Sequence, residues 1–334
     1  MELRAWRVTL ELAETFRISR EAQDRAEVVQ VELRHGHLAG YGEAAPVERY
    51  GQSAGSALAY LKEAATLLGD DPWALEEIHA RLPDREPAAR AAIDAALHDL
   101  CGKLASVPVY RLLGLRRAGP PTSWTIGLGD PDEMARKAER QAGRFRRLKL
   151  KLGGRDGLDV ERVRAVRRVT ALPLQVDVNE YWSLEEALDF LPQLARLGVE
   201  YCEQPLPAGH PAGAELKRRS PLPIYLDEDC HVLADVAACA KIGHGIVIKL
   251  AKSGGLREAL RMAAAARALG LGVMVGCMVE SGLGIAPAAH MASACDYVDL
   301  DGNLLLARDP CPGLELVDGV QLPPLAPGLG VAPA

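Results

Sequence analysis

The sequence predicts an α/β protein, a (β/α) barrel of the TIM type with an α+β capping unit in front of it. Two observations carry this. From residue 122 onward short apolar strands alternate with helical stretches. Strand ends fall at 151, 177, 203, 227, 249, 276 and 299, spaced 26, 26, 24, 22, 27 and 23 residues apart. A repeat of about 25 residues holds one strand, one helix and two loops, and eight such strands fit a barrel. Before residue 116 the order is different, strands first and helices after, as in an α+β unit. A doubly wound open sheet fits less well, because it usually has fewer strands and a glycine-rich first turn.

In chain order, Trp6–Leu12 and Glu27–Leu33 alternate as strands, and the second ends in the turn His35-Gly36-His37. Histidines flanking a turn glycine fit a solvated hairpin tip better than a metal site. Leu38–Tyr41 opens a third strand. Ser53–Leu68 is Ala- and Leu-rich and is closed by Gly69-Asp70-Asp71-Pro72. Pro87–Leu104 places Ala92, Ile93, Ala96, Leu97 and Leu100 on one helical stripe. The barrel strands are expected at Thr122–Ile126, Arg147–Leu152, Leu174–Asp177, Val199–Glu203, Ile224–Asp227, Ile246–Lys249, Gly272–Gly276 and Tyr297–Asp301. A strand-like piece, Leu314–Val317, then leads into Pro-rich coil. The expected division is a cap at 1–115, a barrel at 116–312 and a segment at 313–334 returning to the cap. The barrel stretch is shorter than the ~250 residues typical of the fold.

Composition narrows the function classes. The 334 residues carry 39 Lys and Arg against 45 Asp and Glu, a net charge of −6. A mildly acidic surface argues against nucleic acid and anionic membranes as partners, since both need a basic face. With 3 Phe, 4 Trp and 8 Tyr, base-stacking platforms are also disfavoured. Met1–Glu14 has no apolar core of a secretory signal. The longest apolar run, Ala268–Val279, falls short of the roughly 20 residues that span a bilayer. Seven scattered cysteines without tight spacing read as free buried thiols of a reducing cytoplasm.

Charged residues then appear where a barrel should be dry. Leu148, Leu150 and Leu152 point one way, and Lys149 and Lys151 point the other. If the leucines face the outer helices, both ammonium groups enter the barrel. Two buried like charges cost several kcal/mol each unless something compensates. The next three strands end in Asp177, Glu203 and Asp227, and the sixth ends in Lys249. Three carboxylates on one rim, with no His or Cys, suit a hard divalent ion, Mg²⁺ first and Mn²⁺ second. A metal so held keeps open positions for a substrate carboxylate, which can then take a second negative charge as an enediolate. Lys151 and Lys249, on opposite faces of that carbanion, permit inversion by 1,1-proton transfer. A lysine base must be neutral part of the time, and Lys149 together with the metal would push the pKa of Lys151 down.

Here the residues match a family. Lys149-Leu150-Lys151, Asp177-Val178-Asn179, Glu203-Gln204-Pro205, Asp227-Glu228-Asp229 and Ile248-Lys249-Leu250-Ala251-Lys252-Ser253-Gly254-Gly255 resemble the muconate-lactonising branch of the enolase superfamily. The resemblance extends over nearly the whole chain. It implies an enolase-like fold, metal ligands Asp177, Glu203 and Asp227, and acid/base lysines Lys151 and Lys249. Val178 departs from the family's usual alanine. Asp299-Leu300-Asp301-Gly302 is similar to the Asp-x-Asp of dipeptide epimerases, which holds a substrate's free α-ammonium. Period 2 would place both carboxylates on one face. Glu280, in Gly276–Ser281, is also similar to dipeptide epimerases. Arg20 falls where the family has a mobile cap loop. There it would pair with an acidic substrate side chain, as in epimerases of Ala-Glu, or else be a surface arginine.

The expectation is therefore a cytoplasmic Mg²⁺-dependent dipeptide epimerase acting on L-Ala-D/L-Glu or a related dipeptide, with a homo-oligomer left open. The alternatives are o-succinylbenzoate synthase, N-acylamino acid racemase and muconate cycloisomerase. Their substrates lack a free ammonium, so Asp299 and Asp301 argue against them. A non-catalytic homologue would have lost a base or ligand, and none is missing.

Overall fold

The computed structural model describes residues 1–141 and 143–334. The chain opens with a three-stranded antiparallel sheet, β1 (Glu2–Arg17), β2 (Ala22–His35) and β3 (Leu38–Ala44), in the order β1-β2-β3. Helices α1 (Ala54–Ala64), α2 (Leu75–Arg81), α3 (Pro87–Leu104) and α4 (Val109–Leu112) follow. Ser53 caps α1 by a reciprocal side-chain exchange with Ser56, and Pro87 opens α3, where a missing N–H does no harm. The chain then alternates: β4 (Ser123–Ile126), α5 (Pro131–Gln141), β5 (Arg147–Lys151), α6 (Asp159–Val169), β6 (Leu174–Asp177), α7 (Leu184–Arg196), β7 (Val199–Glu203), α8 (Gly213–Arg219) and β8 (Ile224–Leu226). It continues with α9 (Val236–Ile242), β9 (Gly245–Lys249), α10 (Leu250–Ser253), α11 (Leu256–Ala268), β10 (Gly272–Gly276), α12 (Gly282–Met291) and β11 (Tyr297–Asp299).

Strands β4 to β11 form one eight-stranded parallel sheet in sequence order. A parallel bridge from Thr122 to Val298, and the Leu300 amide donating to Thr122 Oγ1 at 2.8 Å, bring its two edges together into a near-closed barrel. Leu148, Leu150 and Leu152 pack outward into the layer between strands and helices, together with Val163, Val166 and Leu191. Lys149 and Lys151 face inward and are buried.

The cap has its own core, built where α3 lies across β3. The close approach requires glycine: a Cβ on Gly40 would stand 2.1 Å from the Ala96 carbonyl, and one on Gly42 2.1 Å from that of Ala92. Cap and barrel are joined by buried carboxylates. Asp94 of α3 accepts from the Leu256 amide at 2.6 Å, and Glu43 of β3 accepts from the Ser281 amide at 2.8 Å. The tail forms a hairpin, β12 (Glu315–Val317) with β13 (Val320–Leu322), and does not join the cap sheet. Past it, Leu329 donates to Asp99 of α3 at 2.7 Å, and Gly328 bridges to Pro108.

Among the described residues no helix is long and apolar enough to cross a membrane. All seven cysteines are free, and all but Cys277 are buried.

Candidate active site

The barrel's C-terminal ends meet the cap around a cavity of about 450 Å³. Barrel residues Thr125, Lys149, Lys151, Asn179, Lys249, Asp299 and Asp301 line it, and the cap contributes Ile18, Arg20, Tyr50 and Gln52. Register explains why the barrel residues meet. Lys151 is the direct partner of Asp177, and Asp177 of Glu203. On the other side Gly276 pairs with both Lys249 and Asp299. Asp227 lies one residue past the end of β8, and Asp301 two past β11, both still at the rim.

Lys151 Nζ donates to Asp177 Oδ2 at 2.6 Å and to Asn179 Oδ1 at 3.3 Å. Lys249 Nζ donates to Asp227 Oδ2 at 2.8 Å. Between them Lys149 Nζ lies 2.7 Å from Asp299 Oδ2, 2.7 Å from Glu203 Oε2 and 3.2 Å from Asp177 Oδ2. Lys151 and Lys249 thus flank the row of carboxylates.

At Lys149 and Lys249 burial and the neighbouring carboxylates pull in opposite directions. Burial lowers the pKa of Lys149, but Asp299, Glu203 and Asp177 outweigh it and hold the ammonium well above its usual range. Lys249 is raised in the same way, burial being overcome by Asp227 and Glu203. Each of these two ammoniums has a carboxylate oxygen at 2.7 or 2.8 Å, and the carboxylates decide the sign. Asp177 and Asp227 are held below the usual carboxylate range despite burial, by Lys151 and Lys149 in one case and Lys249 and Lys252 in the other. Glu203 is pushed up by burial and by Asp177.

The donor set suits a hard cation. Asp177, Glu203 and Asp227 are fully buried and offer only oxygens. Among the described residues neither Glu203 oxygen accepts a hydrogen bond, although the Lys149 ammonium lies 2.7 Å from Oε2 as an ion pair. A buried carboxylate lacking donors calls for a cation. In this conformation no three His, Cys, Asp or Glu side chains among the described residues are gathered around one point, because the lysine ammoniums stand between the carboxylates.

Asp299 and Asp301 face each other across Thr125. Its hydroxyl lies 3.3 Å from an oxygen of each, and its amide donates to Asp301 Oδ2 at 2.6 Å. Lys149 partners Asp299. Burial, then the neighbouring Asp299, pushes the Asp301 carboxyl up to about 7.

Of the remaining two sequence candidates one borders the cavity and the other does not. Arg20 borders the cavity, but its guanidinium donates to Glu228 Oε1 at 3.0 Å and to the Asn179 carbonyl at 3.3 Å, with Glu180 Oε2 at 3.4 Å. All three bonds leave from Nη1, so Arg20 is not a free surface arginine. Glu280 is buried outside the cavity lining. Its Oε1 accepts from the Met278 amide at 2.8 Å, and burial pushes its carboxyl up to about 7. A Cβ on Gly284 would stand 2.6 Å from Glu280 Oε2 and 2.8 Å from Glu43 Oε1, so the second oxygen points toward the cap junction.

Sequence reasoning missed Thr125 and Tyr50. Thr125 is the inward residue at the end of the first barrel strand, and the survey of strand ends that found the carboxylates would have included it. Tyr50 sits on a short turn, Glu48–Tyr50, with no periodicity to mark it. It is held edge-on against His231, ring centroids 4.7 Å apart.

Residues 1–114 match the mandelate racemase / muconate lactonizing enzyme N-terminal domain, and residues 133–334 match the enolase C-terminal domain-like family. The chain belongs to the enolase superfamily. Within this superfamily it is 40% identical, over 96% of its length and 85% of the relative's, to an L-Ala-D/L-Glu epimerase of Bacteroides thetaiotaomicron. Its structure is similar to that of a dipeptide epimerase from Enterococcus faecalis complexed with Mg and L-Leu-L-Tyr, with a TM-score of 0.95, 30% identity and 99% of each chain covered. A dipeptide epimerase from Methylococcus capsulatus, complexed with Mg and L-Arg-D-Lys, matches at a TM-score of 0.89 and 35% identity, again over 99% of each chain. These three relatives are dipeptide epimerases, and the two bound dipeptides, L-Leu-L-Tyr and L-Arg-D-Lys, differ in side-chain chemistry.

Proposed function

We propose that this chain is a Mg²⁺-dependent dipeptide epimerase that inverts one α-carbon by 1,1-proton transfer between two lysines. The observation that carries the reading is the pair Lys151 and Lys249, both lining the cavity and flanking one row of carboxylates. One lysine removes the α-proton, and the other returns a proton to the opposite face. A single base would give exchange but no inversion. Asp177, Glu203 and Asp227 would hold the ion. When bound, Mg²⁺ supplies positive charge for the substrate carboxylate as its α-carbon loses the proton. Mn²⁺ suits the same oxygens. With a divalent charge near, the carboxylates would no longer hold Lys249 so strongly in the ammonium form, and a base must be the neutral amine.

Asp301 and Asp299 would receive the dipeptide's free ammonium. An arriving cation relieves the repulsion that keeps the Asp301 carboxyl high, and the hydrogen bond formed is charge-assisted. Lys149 would fix Asp299 and balance the carboxylates. Arg20 would tie the cap loop to the barrel through Glu228 and Glu180, and Glu280 would support the loop after β10. The expected substrate is L-Ala-D/L-Glu or a related dipeptide.

The test is incubation of L-Ala-L-Glu and a dipeptide panel with protein and Mg²⁺ in D₂O, read by mass spectrometry and chiral separation. The expected result is one deuterium incorporated at the inverted α-carbon, abolished by a chelator. Racemisation of N-acyl amino acids with no exchange on any free dipeptide would overturn it.

A further inference from the structure

Lys252 stands three residues after Lys249, on the short helix α10, and the catalytic scheme gives it no work. It is among the most deeply buried side chains of the molecule. Its Nζ donates to Asp227 Oδ1, to the Asp227 carbonyl at 2.5 Å and to the Cys230 carbonyl at 2.9 Å. An ammonium has three protons, and these three acceptors match them, with the Val247 carbonyl more distant at 3.5 Å. The geometry is that of a clamp. It grips the side chain and main chain of one residue together, and it draws in the turn from Asp227 to Cys230. On the other oxygen of the same carboxylate, Oδ2, sits Lys249 on the cavity side.

A buried lysine is an expensive way to fill space, since methionine would pack there without desolvating a charge. Asp227 also lies beyond the last hydrogen-bonded residue of β8, so the strand itself does not fix it. We infer that Lys252 is a positioning residue for the third metal carboxylate, holding Asp227 Oδ1 so that Oδ2 is presented to the ion. This rests on the metal reading above.

Charge and position predict opposite signs, which makes the inference testable without turnover. If Lys252 acted only as a nearby positive charge, its removal would tighten binding of a divalent cation. If it positions Asp227, its removal weakens binding. The experiment is titration of the metal-free protein with Mn²⁺, with free ion followed by electron paramagnetic resonance and the fold checked by near-ultraviolet circular dichroism. Lys252→Met should weaken Mn²⁺ binding at least about tenfold. Lys252→Arg keeps the charge but replaces the compact three-way donor with a planar fork, and should weaken binding as well. Equal or tighter Mn²⁺ binding by a folded Lys252→Met protein overturns the inference. Should that variant not fold, unchanged affinity in Lys252→Arg overturns it. A wild type that binds no Mn²⁺, or an Asp227→Asn protein that binds it as well as wild type does, overturns the metal reading and this inference with it.

Discussion

The upper and lower levels of the barrel interior are made by the same strands, two residues apart, and have little else in common. At the upper level stand Asp177, Glu203, Asp227, Lys249 and Asp299. Two residues earlier on four of those strands stand Tyr201, Tyr225, Val247 and Tyr297, and Met274 precedes Gly276 in the same way. The tyrosines pack on one another, with Tyr201 4.7 Å from Tyr225 and 4.8 Å from Tyr297 between ring centroids. The period of a strand puts both levels on one face, so β7, β8, β9 and β11 each contribute one residue to packing and the next to the charged row. The lower level is a floor. It keeps water from reaching the carboxylates from below, and it gives the charged groups above a rigid base. Lys149 joins the two, rooted beside the floor and reaching Asp299, Glu203 and Asp177 above. If this division of labour is right, upper-level substitutions remove activity from a stable protein, and lower-level ones remove stability from an active one.

The largest expected effect belongs to the upper level. Lys249→Ala should lower epimerisation by about 10²–10⁴, the usual contribution of a positioned acid/base group. The folded protein should survive, and one epimer should still exchange its α-proton with D₂O through Lys151. Nuclear magnetic resonance separates exchange from inversion, and full epimerisation by the variant would end the two-base scheme. The counterpart below is Tyr201→Ala. Removing a fully buried aromatic ring should cost about 3–5 kcal/mol in urea unfolding. The kcat/KM of the folded fraction should stay within about tenfold of wild type. Lost activity at unchanged stability would mean the floor takes part in the chemistry.

A smaller upper-level effect is expected from Asp301→Asn. Loss of one charge-assisted hydrogen bond, worth roughly 1.5–3 kcal/mol, should reduce kcat/KM for a free dipeptide by about one to two orders of magnitude. The N-acetylated dipeptide should already be poor and change little. Equal turnover of both forms by the wild type would point to an N-acylamino acid racemase.

How much of this could be read in the sequence follows the same division. Strand ends were legible because each barrel unit repeats, and Lys149 and Lys151 declared their direction by alternating with leucines. The cap strands were legible only in part. Alternation marks Trp6–Leu12, whereas β1 runs from Glu2 to Arg17, with a register shift between Glu11 and Phe16. Beyond Leu12 most of the strand is exposed on both faces, so no pattern of burial records it. Long-range partners were not legible at all. Arg20 reads as a loop cation until folding brings Glu180 and Glu228 to it from 160 and 208 residues away. Asp299 reads as a free carboxylate until Lys149, 150 residues earlier, reaches it past the intervening strand β4. Sequence spacing determines which way a side chain points on its strand. It does not determine what the other side of a barrel places opposite.

The smallest predicted effect tests the floor at its tightest point. Gly272, on β10, has no side chain where Tyr225 passes. A Cβ there would stand 2.1 Å from the Tyr225 hydroxyl oxygen and 2.9 Å from Cζ. Its backbone is not in the left-handed region, so alanine is allowed conformationally and the penalty is one of space alone. Gly272→Ala should therefore destabilise by about 1–3 kcal/mol, the usual range for overpacking. Tyr225→Phe removes the atom met first, so Gly272→Ala should cost less in that background than in wild type. The coupling, read from a double-mutant cycle of urea midpoints, should be favourable. Additive effects would place the strain elsewhere than at this contact. Through all four proteins kcat/KM should stay near the wild-type value, because the strained contact lies below the charged level.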